Sequence, residues 1–128
     1  MELKATELRV NNYLEFKDTI FQVEIITLTG GLQIYRIDYD SGYQFIIGQV
    51  KDFKPIPLTE EWLIRFGFDK KGEQYFKGYC YEIGMMLNSN NEWYIDDGIR
   101  TFDLPLKYVH QLQNLYHSLT GEELTIKE

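Results

Sequence analysis

Through its first half the chain alternates apolar and polar residues with a period of two, and in two stretches of its second half the period lengthens to that of a helix. Phe21, Val23 and Ile25 alternate with Gln22 and Glu24. Gly30-Gly31 then interrupts the run, and Leu32 to Asp38 resumes it with the β-formers Ile34, Tyr35 and Ile37. This predicts a hairpin. Asp40-Ser41-Gly42 predicts a second turn, after which Tyr43, Phe45 and Ile47 share one face and Ile46 takes the other. With Tyr13 to Phe16 added, about four short strands lie at the spacing of a small curved sheet or barrel.

Helix signals begin at Pro55-Ile56-Pro57-Leu58-Thr59-Glu60-Glu61-Trp62-Leu63-Ile64-Arg65-Phe66-Gly67-Phe68. The prolines keep the chain extended up to Thr59, which suits an N-cap, and Glu60 and Glu61 face the positive end of the helix dipole. Gly67 suits the left-handed residue after the helix, with Phe68 and Leu58 both packing on Leu63. So short a helix persists only if Trp62, Leu63 and Phe66 dock on a sheet. Asp69-Lys70-Lys71-Gly72-Glu73 reads as a loop.

Strand character returns over residues 75–102, with Tyr75, Lys77, Tyr79, Tyr81 and Ile83 on one face. Asn88-Ser89-Asn90-Asn91 should turn the chain, and Asp97-Gly98 reads as a tight turn between Trp93–Ile95 and Ile99–Phe102, which makes a three-stranded meander. A last helix should start between Pro105 and Tyr108 and stop at Gly121. It places Val109, Leu112, Leu115, Tyr116 and Leu119 on one side and Lys107, Gln111, Asn114 and Ser118 on the other. Leu124 to Ile126 is expected as an edge strand.

The predicted class is α+β: an N-terminal small curved antiparallel sheet or SH3-like partial barrel, a short helix, an antiparallel β-meander, and a C-terminal amphipathic helix with its edge strand. Residues 1–128 are expected as a single domain, with a β part over 1–57 and the helix, meander and C-terminal helix over 58–128.

At 128 residues, with 44% hydrophobic and 26% charged, the chain can bury a core without disulfides or metal. A formal charge of -7 sets the surrounding field against phosphate backbones, so a nucleic-acid partner is not expected. The single cysteine, Cys80, has no intramolecular disulfide partner and points to a reducing cytoplasm. Charges at Glu2, Lys4, Glu7 and Arg9 exclude an apolar leader within the first ten residues, and no apolar run reaches membrane-span length.

Candidate chemistry is sparse. His110 and His117, the two histidines, stand seven apart rather than the four that lets two side chains share one ion on a helix. Cys80, in Gly78-Tyr79-Cys80-Tyr81, has no nearby base or helix N-terminus to lower its pKa. Asp96-Asp97, with Asp103 nearby, suits turn chemistry better than a carboxylate pair, and no phosphate-loop glycine pattern exists. No catalytic, cofactor-binding or metal-binding residue is therefore assigned.

Aromatic residues reach 16%, ten of them tyrosines, and tyrosine gives contact area at low entropic cost. Half-exposed Tyr75, Tyr79 and Tyr81, with a helix strip of His110, Gln113 and His117, form the candidate interaction surface. The expectation is a non-enzymatic protein-binding or adaptor module. Two alternatives stand beside it. One is a small enzyme using Cys80, a histidine or Asp96/Asp97 between the β part and the C-terminal helix. The other is an oligonucleotide-binding small barrel over residues 8–54, whose aromatics would stack on bases.

The Pro55–Phe68 string and Tyr108-Val109-His110-Gln111-Leu112-Gln113-Asn114-Leu115-Tyr116 with Leu119-Thr120-Gly121-Glu122-Glu123-Leu124 resemble a family of small uncharacterised proteins from phages, prophages and chromosomes of gut anaerobic bacteria. Glu7-Leu8-Arg9-Val10-Asn11-Asn12-Tyr13-Leu14 resembles the family's opening, which usually carries a glycine near Asn11. The resemblance implies a cytoplasmic bacterial or phage-associated origin and brings no activity.

Overall fold

The structure, a computed structural model, describes residues 3–26, 31–36, 45–77, 83–88, 90–96 and 105–126. The chain divides into two compact units, Met1–Ile56 and Pro57–Glu128. The class is α+β, with two open four-stranded antiparallel sheets, one in each unit.

The first unit opens with a 3-10 turn at Ala5–Glu7 and a β-turn in which the Asn12 N–H donates to the Arg9 carbonyl at 3.2 Å. Asn11 occupies the third position of that turn with φ 82°, the left-handed region a type II turn requires there. Asparagine tolerates that region better than other non-glycine residues, so the turn closes without glycine. Asn12 is fully buried and its Oδ1 accepts the Arg9 N–H at 2.6 Å.

Four strands follow in sequence order: β1 (Tyr13–Phe16), β2 (Thr19–Ile26), β3 (Gly31–Arg36) and β4 (Phe45–Gln49). Lys17 and Asp18 join β1 to β2 with φ of 49° and 63°, the pair of left-handed residues of a type I′ hairpin. The β2–β3 register shifts between Val23 and Ile25, a bulge that increases local twist. After β4, a 3-10 turn at Val50–Asp52 brings the chain back so that Glu15 and Lys54 exchange backbone hydrogen bonds of 2.9 Å. The sheet is thereby drawn round on itself over a core of Leu3, Leu8, Leu14, Phe21, Val23, Val50 and Phe53. The expected Asp40–Gly42 turn lies outside the described residues.

In the second unit α1 (Glu60–Arg65) follows Thr59, whose backbone is extended although its side chain makes no capping hydrogen bond. Gly67 has φ 89°, and the pair Phe68 N–H to Leu63 carbonyl (3.0 Å) and Gly67 N–H to Ile64 carbonyl (2.9 Å) closes a Schellman cap. Trp62, Leu63 and Phe66 are buried while Ile64 faces out, so the short helix is held by its docked side.

The second sheet is β5 (Asp69–Lys71), β6 (Gln74–Lys77), β7 (Ile83–Leu87) and β8 (Trp93–Asp96). The stretch expected as a loop at Asp69–Glu73 is instead β5 and the turn into β6. Gly72, with φ 69°, takes the first central place of a two-residue type II′ hairpin, and Lys71 pairs with Gln74. The turn expected at Asn88–Asn91 is present: Asn88 Oδ1 accepts the N–H groups of Asn90 and Glu92, both at 2.9 Å, and Asn91 has φ 59°. The Asp97-Gly98 turn and the Ile99–Phe102 strand lie outside the described residues.

Beyond β8, Leu106 bridges Trp93, and the Leu58 N–H donates to Lys107 at 2.9 Å. Helix α2 (Val109–Thr120) then runs to Gly121, which has φ 75°. Its end at Gly121 falls where the sequence places it and its first residue one beyond the expected range; of the expected buried side, Val109, Leu112 and Tyr116 are buried, but the side as a whole is turned. Val109, His110, Leu112, Gln113 and Tyr116 are buried while Leu115 and Leu119 are half-buried, a rotation of roughly 70° at 100° per residue. Leu124 is fully buried but forms no strand; its carbonyl accepts a long hydrogen bond from Gln113 Nε2 at 3.5 Å.

Candidate functional site

One concave feature of the second unit is a groove of about 540 Å³ between the start of α1 and the sheet. Leu58, Tyr75, Leu87 and Trp93 line it, with Thr59, Glu60, Lys70, Glu73 and Asn91 around them. Pairing across β7 and β8 sets Leu87 opposite Trp93, and the Asn88 turn that follows holds Asn91 at the rim. Leu87 is 45% exposed, so part of this apolar wall is open to solvent.

The Tyr75 ring meets Trp93 edge-on, with centroids 5.6 Å apart and planes at 70°. Lys70 Nζ stands 5.8 Å from the Tyr75 ring centroid and 3.7 Å from Glu60 Oε1. Burial pushes the Tyr75 phenol above its ordinary value; its hydrogen bond to the Glu60 carboxylate and that carboxylate's charge add to the rise, and Lys70 opposes it. At neutral pH the hydroxyl therefore stays protonated and donates to Glu60. The Glu60–Lys70 pair is half exposed, so its worth is small, and it orients the rim rather than stabilising the unit.

A second hollow, of about 480 Å³, lies in the first unit and is lined by Phe16, Lys17, Ile47, Gly48, Asp52, Phe53 and Lys54. Phe16 and Phe53 lie with centroids 5.3 Å apart, and Lys17 Nζ stands 5.3 Å from the Phe16 centroid.

Half of the predicted interaction surface is inside the protein. Tyr75 is 4% exposed, because its strand turns that face toward Trp93 and Leu58. His110 and Gln113 are buried at 1% and 0%, a result of the rotation of α2, with the His110 ring stacked on Tyr108 at 5.9 Å. His117 is half-buried beside Glu123, its Nε2 3.8 Å from that carboxylate. Tyr79 and Tyr81 lie outside the described residues, as does Cys80. The His110, Gln113 and His117 strip is thus not a surface strip. Sequence reasoning passed over Leu87, Asn91 and Glu73. The signal that could have found Leu87 is its position as the last residue before the Asn88 turn, where a strand's side chains leave the core.

Among the described residues no group of three or more His, Cys, Asp or Glu side chains is arranged to hold a metal ion. No helix among them is long and apolar enough to cross a membrane. No family model matches the chain, and no curated protein or solved structure matches it.

Proposed function

We propose that the protein is a non-enzymatic binding module that holds a protein partner, and that the groove beside Trp93 receives an extended segment of it. The observation that carries this reading is the composition of the groove: an apolar wall of Trp93, Tyr75 and half-exposed Leu87 beside the exposed carboxylates of Glu60 and Glu73. An apolar side chain next to a lysine or arginine matches both halves. Tyr75, Glu60 and Lys70 engage one another, which suits a preorganised recognition rim better than proton transfer to a substrate. The oligonucleotide reading has weaker support, since the Phe16 ring already lies against Phe53 and Lys17. The resemblance of residues 55–68 and of 108–116 with 119–124 to phage and gut-anaerobe proteins, with one cysteine in the chain, supports a bacterial cytoplasmic setting.

Selection of a random peptide library on the full chain, followed by fluorescence titration of the enriched peptides, tests this. Enriched sequences should pair an apolar residue with Lys or Arg. Leu87→Glu and Glu73→Lys, both at exposed positions, should each weaken binding by about tenfold, roughly 1.4 kcal/mol, without moving the melting temperature. Absence of saturable binding, or binding indifferent to both substitutions, overturns the reading.

A further inference from the structure

An antiparallel strand at the margin of a sheet leaves alternate backbone N–H and C=O groups unpaired on its outer side. β4 is such a margin: it pairs with β3 on one side, and no strand pairs with its other side among the described residues. The Gln49 N–H donates to Asp52 Oδ2 at 3.0 Å, so it points away from β3. Ile47, two residues earlier, presents its own N–H and C=O to that same outer side. Its side chain is 72% exposed, the highest value among the large apolar residues described. The strand Phe45-Ile46-Ile47-Gly48-Gln49 contains no charge and no proline, and of the devices that usually blunt an edge only the Asp52 carboxylate at its Gln49 end is present.

We propose that β4 pairs with β4 of a second copy of this chain, antiparallel and about a two-fold axis through Ile47. The strand is self-complementary in that register. Ile47 exchanges both backbone hydrogen bonds with its mate, the Phe45 N–H faces the Gln49 carbonyl while the Gln49 N–H keeps Asp52, Ile46 falls opposite Gly48, and no like charges meet between the paired strands. Charge favours this unit for self-association too: residues 1–56 hold six basic and eight acidic side chains, whereas residues 57–128 hold seven and twelve. Repulsion between copies is therefore weakest at the first unit. A pairing of five residues a side buries little area, so the dimer is a concentration-dependent one.

Sedimentation velocity of the full chain over a concentration series reads this directly. The expected result is a monomer–dimer equilibrium. Ile47→Lys should weaken dimerisation at least about tenfold by setting two charges face to face. Ile47→Pro should weaken it by removing the outward N–H while the β3 ladder keeps its bonds. Far-ultraviolet circular dichroism checks that both variants keep their strands. Ile64→Lys, at an exposed position of α1, should leave the equilibrium unchanged. A chain monomeric at every concentration overturns the proposal, including the case in which β4 takes only an unrelated extended peptide. Equal association in wild type and Ile47→Lys overturns it as well.

Discussion

Each unit is built on a four-stranded meander, and each meander has two margins to protect. The two units solve the first margin alike and the second differently. In the first unit the returning chain covers β1 through the Glu15–Lys54 bridge; in the second, Leu106 covers β8 at Trp93. Of the remaining margins, which no described strand covers, β5 is Asp69-Lys70-Lys71, exposed throughout and charged at every position, while β4 is uncharged with Ile47 turned to solvent and only its Gln49 end held by Asp52. Where the fold leaves an edge open, the residue types on it decide whether it repels or accepts another strand. The units also differ in how they cover their sheets. The second has two helices to bury, whereas the first fixes its turns with buried amides at Asn12 and Gln22, the latter donating to the Asn11 carbonyl at 3.1 Å.

The largest expected effect is in the second unit. Trp62 is buried against Phe66 at 5.5 Å, with the Arg65 guanidinium 4.5 Å from its ring centroid, and it anchors a six-residue helix with no stability of its own. Trp62→Ala should cost about 3 to 5 kcal/mol in chemical denaturation followed by the fluorescence of Trp93. A loss under about 1 kcal/mol would mean that the helix docks through Leu63 and Phe66 instead.

Asn12→Ala probes the first unit in the same way. It leaves the Arg9 N–H without its side-chain acceptor in a half-buried turn and should cost about 1 to 3 kcal/mol. Both tryptophans belong to the second unit, so their fluorescence separates the two outcomes. If the units unfold independently, far-ultraviolet circular dichroism should show an early transition that tryptophan fluorescence does not. One shared transition would show that they unfold together.

Gln111→Ala comes next, and here the helical wheel misleads. On sequence the residue belongs to the polar side of α2, where truncation should be nearly neutral. In the fold its Oε1 accepts the N–H groups of Lys107 and Tyr108, at 2.8 and 3.1 Å, and so closes the start of the helix. Its loss should cost about 0.5 to 2 kcal/mol, while Asn114→Ala, later in the helix, serves as the reference in thermal unfolding. Equal melting temperatures for the two variants would remove Gln111 from the cap.

Local chemistry explains which features were legible. The bounds of β1, the Schellman cap at Gly67 and both ends of α2 follow from neighbouring residues, and the sequence places them closely. The Lys17-Asp18 hairpin was missed because it reaches a type I′ turn without the usual Asn-Gly or Asp-Gly pair. β5 was missed because three charged residues carry no alternation to read. The rotation of α2 escaped for a different reason: His110 and Gln113 look polar in sequence, and what accompanies them is the half-buried ring of the neighbouring Tyr108 for one and, for the other, the Leu124 carbonyl that only the returning chain supplies. The groove was half legible. Tyr75 was singled out as a contact surface, and it is instead a buried member of the wall.

The pH dependence of the second unit reports on that wall. Because the folded pKa of Tyr75 lies above its unfolded value near 10.0, the stabilisation is fully present below pH 10 and is lost as pH rises through the folded pKa. Wild type should therefore lose stability in that alkaline range faster than Tyr75→Phe, which has no proton to release. Parallel denaturation curves for the two proteins above pH 10 would show that the phenol ionises as freely folded as unfolded.

The smallest stability change is expected from erasing the difference between the two open edges. Asp69→Thr with Lys71→Thr makes β5 as uncharged as β4 at its two ends, and both positions are exposed, so the melting temperature should move by no more than about 0.5 kcal/mol of stability implies. Association should respond where stability does not, since the charges that turned a second strand away are gone while the hairpin at Gly72 still holds β5 on β6. Sedimentation velocity on this variant in the Ile47→Lys background, where β4 is blocked, isolates the new edge. Concentration-dependent association there would show that charge keeps β5 solitary. A variant that stays monomeric would assign its inertness to length, three residues being too few to template another strand.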